Sequence, residues 1–180
     1  KLKKKFFQVE YKLNNTINEF TKPYLSLWNG LVMGGGVGLS IYGNCRLVSE
    51  TTKFAMPETA IGFFPDVGAS HFLSKLDNGI GLFLGLTGKI CNAKDLMVFG
   101  LATHYLPQNM INKTIENYIS GKECINGNHF PTLSSDILDH RNFIEDTFIG
   151  NIQSIMKKLK NSALPFAKKI YDHLLTRCPM

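Results

Sequence analysis

Apolar residues recur through the first twenty positions at three- and four-residue steps. Phe6, Val9, Leu13, Ile17 and Phe20 fall on one face of a helix predicted over Phe6 to Phe20. Thr21-Lys22-Pro23 ends that helix, because the residue before a proline is pushed out of the helical region. The pattern then shortens. Tyr24 to Trp28 is a brief, mostly apolar run of the buried-strand type, Asn29-Gly30 signals a turn, and Leu31 to Met33 resumes the extended run. Three glycines follow, then a short helix start from Val37 to Tyr42. Cys45 to Val48 and Lys53 to Met56 are candidate strands, and Phe63 to Val67 is a loop. Helices are predicted over Val67 to Leu76, Ile80 to Leu86, with Gly88 as a stop, and Ala93 to Phe99. His104 to Leu106 is a short strand. From Asn109 the chain is mostly helical, interrupted by the polar stretch Ser120 to Ser135 and closed by helices at Ile152 to Leu159 and Leu164 to Leu175. Strands interleaved with helices and followed by a helical end define an α/β class with a helical C-terminal region, divided as residues 1–106 and 107–180.

Composition narrows the class. Among 180 residues, 44% are hydrophobic and 13 are Phe, enough to build a core and to exclude disorder. No apolar run is long enough to cross a bilayer; Leu25 to Leu39 comes closest and is broken by Asn29 and several glycines, so no membrane partner is expected. The net charge of +6 gathers at Lys1, Lys3, Lys4 and Lys5 and on the late helices at Lys157, Lys158, Lys160, Lys168 and Lys169. Such a balance suits nucleic acid or a phosphate-rich ligand. With no basic motif interleaved with aromatics, a solvated surface is the simpler reading and nucleic acid is not expected. Cys45, Cys91, Cys124 and Cys178 form no CxxC pair, which argues against a zinc site or a disulfide framework and for reduced thiols. His71 and His104 are read as structural or surface residues.

Two features carry candidate chemistry. Met33-Gly34-Gly35-Gly36-Val37-Gly38 lies between a strand and a helix start, where backbone N–H groups are left without acceptors. Aimed at one point, such donors make an oxyanion hole. A phosphate cradle and a plain tight turn are the other readings; the run fits neither GxGxxG nor GxxxxGK[ST]. The second feature is Met56-Pro57-Glu58-Thr59 with Pro65-Asp66-Val67-Gly68. Glu58 and Asp66 stand among Phe54, Ala55, Ile61, Phe63, Phe64 and Val67. Carboxylates in apolar surroundings have a partner or a task, and burial lifts their pKa towards the range of a general base. Asp66 as an N-cap for the following helix is the alternative.

Together, MGGGVG and FAMPETAIGFFPDVG resemble the 3-hydroxyisobutyryl-CoA hydrolases of the crotonase superfamily. FFQVEYKLNN (Phe6 to Asn15), Lys22-Pro23-Tyr24, Leu86-Thr87-Gly88 and Gly100-Leu101-Ala102-Thr103-His104 extend the likeness, which is strong from Phe6 to Leu106 and faint beyond. The resemblance implies a crotonase-type spiral of ββα units with a helical C-terminal region. It implies an enzyme that splits 3-hydroxyisobutyryl-CoA into 3-hydroxyisobutyrate and free coenzyme A in valine breakdown. Gly35, with Gly34 beside it, would donate a backbone N–H to the thioester oxygen. Glu58 would be the principal catalytic carboxylate, attacking the thioester carbon or activating water; Asp66 would hold the 3-hydroxyl or assist the water. Glu10 matches a substrate-binding position. No metal or cofactor is implied, coenzyme A entering as part of the substrate. A mitochondrial location and a homo-oligomer are further implications. Enoyl-CoA hydratases carry a glutamate where Gly38 stands, so hydratase or isomerase chemistry is the weaker alternative, and a non-catalytic structural subunit is another. The family has His at the position of Asn29 and glycines at Ala69 and Ser70. It also has an upstream segment with a CAGGD-type loop that supplies the second oxyanion donor; no such loop occurs in this sequence, so the N-terminal part is expected to be missing.

Overall fold

The computed structural model describes residues 2–122 and 130–178. Cys124 and part of the Ser120 to Ser135 stretch lie outside the described residues. The chain packs as two compact units, one from Lys1–Phe54 with Cys91–Ser135, the other from Ala55–Ile90 with Asp136–Met180.

In the first unit, α1 (Leu2–Asn18) leads to β1 (Leu25–Trp28), β2 (Leu31–Met33), α2 (Gly35–Gly38), β3 (Cys45–Val48) and β4 (Lys53–Ala55), the last carrying the chain into the second unit. After the return come α5 (Ala93–Val98), β5 (His104–Tyr105) and α6 (Gln108–Ile119). Strands β1, β3 and β5 form a parallel sheet in that order, with Leu27 opposite Leu47 and Val48 opposite Tyr105. As the middle strand, β3 buries Leu47 and Val48 completely, as parallel strands covered on both faces do. Leu47, Leu106 and Ile111 form a core cluster closed by Leu25, Ile115 and Tyr118. Strands β2 and β4 pair separately, and Phe54 bridges to Cys91 through N–H···O bonds of 2.9 and 2.8 Å. Phe54 also stacks on the buried Trp28 at 5.4 Å between ring centres, a contact worth about 1 kcal/mol beyond area burial. Arg46 ties the loops at the sheet end together: its guanidinium donates to the Leu101 and Gly43 carbonyls at 2.6 Å each.

The apolar face of α1 is largely exposed. Phe6, Val9 and Leu13 stand in solvent, and the buried stripe is Asn14 and Ile17, with Glu10 half-buried one turn earlier. Periodicity marks a helix here, which runs over Leu2–Asn18, and apolar spacing alone does not choose which stripe is buried. The carboxylate of Glu10 and the amide of Asn14 sit where a purely apolar pattern predicts Val9 and Leu13.

The second unit holds a 3₁₀ turn (Glu58–Ile61), α3 (Ala69–Leu73), α4 (Ile80–Thr87), α7 (Asp136–Asp139), α8 (Arg141–Thr147), α9 (Ile152–Asn161) and α10 (Pro165–Leu175). Its centre is α4, apolar all round and buried at Ile80, Gly81, Phe83, Leu84 and Thr87, with Leu82 exposed. Phe83 of α4 meets Phe148 edge-on at 5.0 Å, and Phe166 of α10 lies against both Phe83 and the His140 ring. Ile144, Ile155, Leu159 and Ile170 complete this core. Helices α3 and α4 approach so closely that a Cβ on Gly81 would stand 1.9 Å from the Leu73 carbonyl oxygen. One turn later, a Cβ on Gly85 would meet only Leu73 Cδ1 at 3.4 Å and Pro65 Cγ at 3.8 Å.

These two glycines predict opposite outcomes on one helix. Gly81→Ala should destabilise the chain by about 3 kcal/mol, because backbone must move to admit the methyl group. Gly85→Ala should be neutral or stabilise by up to about 1 kcal/mol through helix propensity. Urea unfolding of both variants checks this; equal effects would contradict the packing described.

Candidate functional site

The residues singled out by chemistry fall into two pairs, one in each unit. In the first unit the glycine run leaves β2 at Met33, and Gly34 takes φ 52°, ψ −123°, a conformation open to glycine. Its carbonyl accepts the N–H groups of Val37 at 2.9 Å and Gly38 at 3.3 Å, which closes the turn. Gly35 and Gly36 open α2, so their N–H groups have no acceptor within it. The Glu10 carboxylate reaches this point: Oε1 lies 3.1 Å from where a Cβ on Gly35 would be. The structure therefore brings Glu10 to Gly35, and any side chain at position 35 would displace that carboxylate.

In the second unit Glu58 opens the 3₁₀ turn behind Pro57. It is 7% exposed, and its Oε2 has no hydrogen-bond partner among the described residues. Burial pushes its carboxyl pKa above the ordinary value; its own backbone N–H pulls the other way, and the negative charge of nearby Asp66 adds to the rise. The turn is fixed by the Thr59 hydroxyl, which donates to the Leu86 carbonyl of α4 at 3.1 Å. Asp66 precedes an unusual backbone step. Val67 is 2% exposed and holds φ 46°, followed by Gly68 at φ 82°. A β-branched residue with positive φ is strained, and such strain gathers where geometry is imposed by function. Asp66 is not the side-chain cap of α3: Gly68 occupies that position without a side-chain bond, and Asp66 contributes its carbonyl oxygen to the Ala69 N–H at 2.7 Å.

A pocket of about 430 Å³ lies in the same unit, walled by Phe64, Pro65, Leu73, Leu82 and Leu86 with Thr59. Thr59 follows Glu58 and Pro65 precedes Asp66, so the loop carrying both carboxylates forms one wall. Leu73, Leu82 and Leu86 were not marked by the sequence, since they read as ordinary helix apolar positions. Gly38, at the position where a second carboxylate would stand in a hydratase, is buried. His104 is bound to Thr103 Oγ1 at 2.8 Å, and His71 lies 2.8 Å from Lys75 Nζ, so neither histidine belongs to these pairs. Among the described residues no three His, Cys, Asp or Glu side chains converge as metal ligands, and no helix is long and apolar enough to cross a membrane.

A mixed α/β chain with a glycine turn after one strand and a buried glutamate after another fits the crotonase fold. The family described as Enoyl-CoA hydratase/isomerase matches residues 1–180, and the chain belongs to it. It is 37% identical to the mitochondrial 3-hydroxyisobutyryl-CoA hydrolase of Xenopus laevis over 99% of this chain and 50% of that protein. It is 52% identical, over 56% of this chain and 20% of that protein, to small ribosomal subunit protein mS47 of Neurospora crassa. Among solved structures, an enoyl-CoA hydratase from Rhodobacter sphaeroides superposes with a TM-score of 0.91 at 33% identity, covering 97% of this chain and 51% of that one. The chain thus spans about half the length of relatives it matches.

The raised pKa of Glu58 fixes the sign of a pH effect. The folded chain holds this proton more tightly than the unfolded chain does. The stability owed to it is therefore fully present below the ordinary 4.5 and is lost as pH rises through the raised folded value. Glu58→Gln removes that loss. The variant should match the parent in urea unfolding near about pH 4 and exceed it near about pH 8. A variant less stable than the parent at the higher pH would contradict a buried, unpaired carboxylate.

Proposed function

We propose that this chain carries the catalytic carboxylates of a thioester hydrolase acting on 3-hydroxyisobutyryl-CoA, in the mitochondrion. The observation that carries the reading is Glu58: buried, with one oxygen unpartnered, its pKa raised, and Asp66 close enough to act on it. A carboxylate in that condition is poorly solvated and so a stronger base and nucleophile than one in water. Glu58 takes a proton from the water that attacks the thioester carbon, or attacks that carbon itself to form a mixed anhydride. In either case the C–S bond breaks, the electron pair leaves with sulfur, and coenzyme A departs as the thiol with a proton that comes from the water. In the second case water then cleaves the anhydride, which releases 3-hydroxyisobutyrate and restores the Glu58 carboxylate. Asp66 holds the 3-hydroxyl group or the attacking water. The Gly35 N–H stabilises negative charge on the thioester oxygen, and Glu10 contributes to substrate binding. Coenzyme A is substrate here, and no further cofactor enters the scheme. The names of the hydrolase relatives support both substrate and compartment. Hydration of an enoyl-CoA is disfavoured by Gly38, which offers no second carboxylate.

A second reading has its own support. The likeness to a ribosomal subunit protein admits a non-catalytic role in a ribonucleoprotein, to which a net charge of +6 would contribute.

The readings separate in one comparison. Release of free thiol from 3-hydroxyisobutyryl-CoA should be detected, and Glu58→Gln should lower kcat by about 100-fold or more. Gly35→Ala should raise KM through displacement of Glu10. Absence of thiol release, together with RNA binding that weakens steeply with salt, would replace the hydrolase with the structural subunit.

A further inference from the structure

The 3₁₀ turn that carries Glu58 is four residues long. A segment this short has few hydrogen bonds of its own and takes its position from what surrounds it. One support is α4, which accepts the Thr59 hydroxyl and, in its sequence IGLFLGLT, presents no ionisable side chain. The other support comes from the residues that follow α10. The Cys178 N–H donates to the Thr59 carbonyl at 3.2 Å. Cys178 Sγ lies 3.0 Å from where a Cβ on Gly62 would stand, so its side chain rests on the residue that ends the turn. This segment is rooted in turn. The His173 ring nitrogen Nε2 is 2.8 Å from the Thr87 carbonyl at the end of α4, and the N–H groups of Thr176 and Arg177 donate to His173 and Leu174 carbonyls at 3.1 Å each.

We infer that residues Thr176–Cys178 are a strap that sets the position and dryness of Glu58, with Cys178 as its positioning residue. The functional weight of the strap rests on reading Glu58 as the working carboxylate. Glu58 cannot anchor itself. Its Oε2 makes no hydrogen bond among the described residues, and an ionised carboxylate gains free energy by turning out to water. Something other than the carboxylate's own bonds must hold the turn inward, and the strap closes on the turn at Thr59 and Gly62, on both sides of its middle. The charge that acts on Glu58 is that of Asp66. At the root of the strap, His173 and Arg177 are engaged with the Thr87 carbonyl and with each other. No thiol chemistry is required of Cys178; its N–H and its bulk suffice.

The test is titration of Glu58 by NMR in the full chain labelled with ¹³C at glutamate Cδ, the resonance being assigned with Glu58→Gln. Cys178→Pro deletes the N–H that holds Thr59. In that variant Glu58 should bind its proton less tightly, its titration moving down towards the ordinary carboxylate range. His173→Ala loosens the root of the strap without touching the turn, and should move the titration in the same direction. It serves as the deciding variant if Cys178→Pro does not fold by near-UV circular dichroism. A strap that only adds stability would lower Tm and leave the Glu58 titration at its original value in the folded variants; that result overturns the inference. The titration needs no substrate, so an absence of thiol release in every form would count against the hydrolase and not against the strap.

Discussion

Burial of the Glu58 carboxylate is the constraint that the second unit is built around. Removing an ionised carboxylate from water costs several kcal/mol unless its oxygens find partners, and Oε2 has none among the described residues. That cost is offset by rigid neighbours. Gly88 ends α4 so close to the turn that a Cβ there would stand 2.9 Å from Pro57 Cα, and Thr59 is bonded to Leu86. Helix α4 is itself immobilised by the contact of Gly81 with the Leu73 backbone and by the aromatic cluster of Phe83, Phe148 and Phe166. Each of these contacts lies some distance from the carboxylate, yet each limits how far the turn can open.

Local patterns were legible in the sequence and their assembly was not. Strands β2 and β3 run over the residues their apolar pattern predicts, and α4, α5, α9 and α10 fall within a residue or two of their predicted bounds. The turn at Glu58–Ile61 carries no periodicity, being shorter than one repeat of a helical pattern, and it was passed over. The apolar stripe of α1 shows a different limit: spacing defines a face and does not say whether that face is covered. Counting apolar residues favours Phe6, Val9 and Leu13, whereas contact is made by Glu10, Asn14 and Ile17. The interleaving of Lys1–Phe54 with Cys91–Ser135 is a property of contacts distant in sequence, which no local window reports.

The site divides along the same line. Glu58 could be chosen because a carboxylate amid Phe and Ile has few fates, and its burial agrees with that argument. Val67 could not be foreseen in a left-handed conformation, since a β-branched residue ordinarily prefers an extended backbone. Nothing near Thr59 in sequence points to Cys178 or His173; only the folded chain puts them there. Candidate residues such as Glu58 are conspicuous by their chemistry, whereas residues that hold a turn in place act through position and leave no local mark in the sequence.

The choice between hydration and hydrolysis turns on how many carboxylates the reaction consumes. Adding water across a double bond calls for an acid and a base placed together, and crotonase-type hydratases assign a glutamate to each. At the position of one of them this chain has a buried glycine. Thioester hydrolysis makes a different demand: charge gathers on one oxygen, thiolate is already a good leaving group, and a single poorly solvated carboxylate can supply the nucleophile or activate it. On the proposed reading Glu58 would meet that demand by its environment, with the charge of Asp66 adding to its raised pKa. The strained step at Val67 fixes the backbone beside Asp66 and so where that side chain begins. Under the proposed hydrolysis, the glycine at position 38 and the strained loop that carries Asp66 would suit the same chemistry.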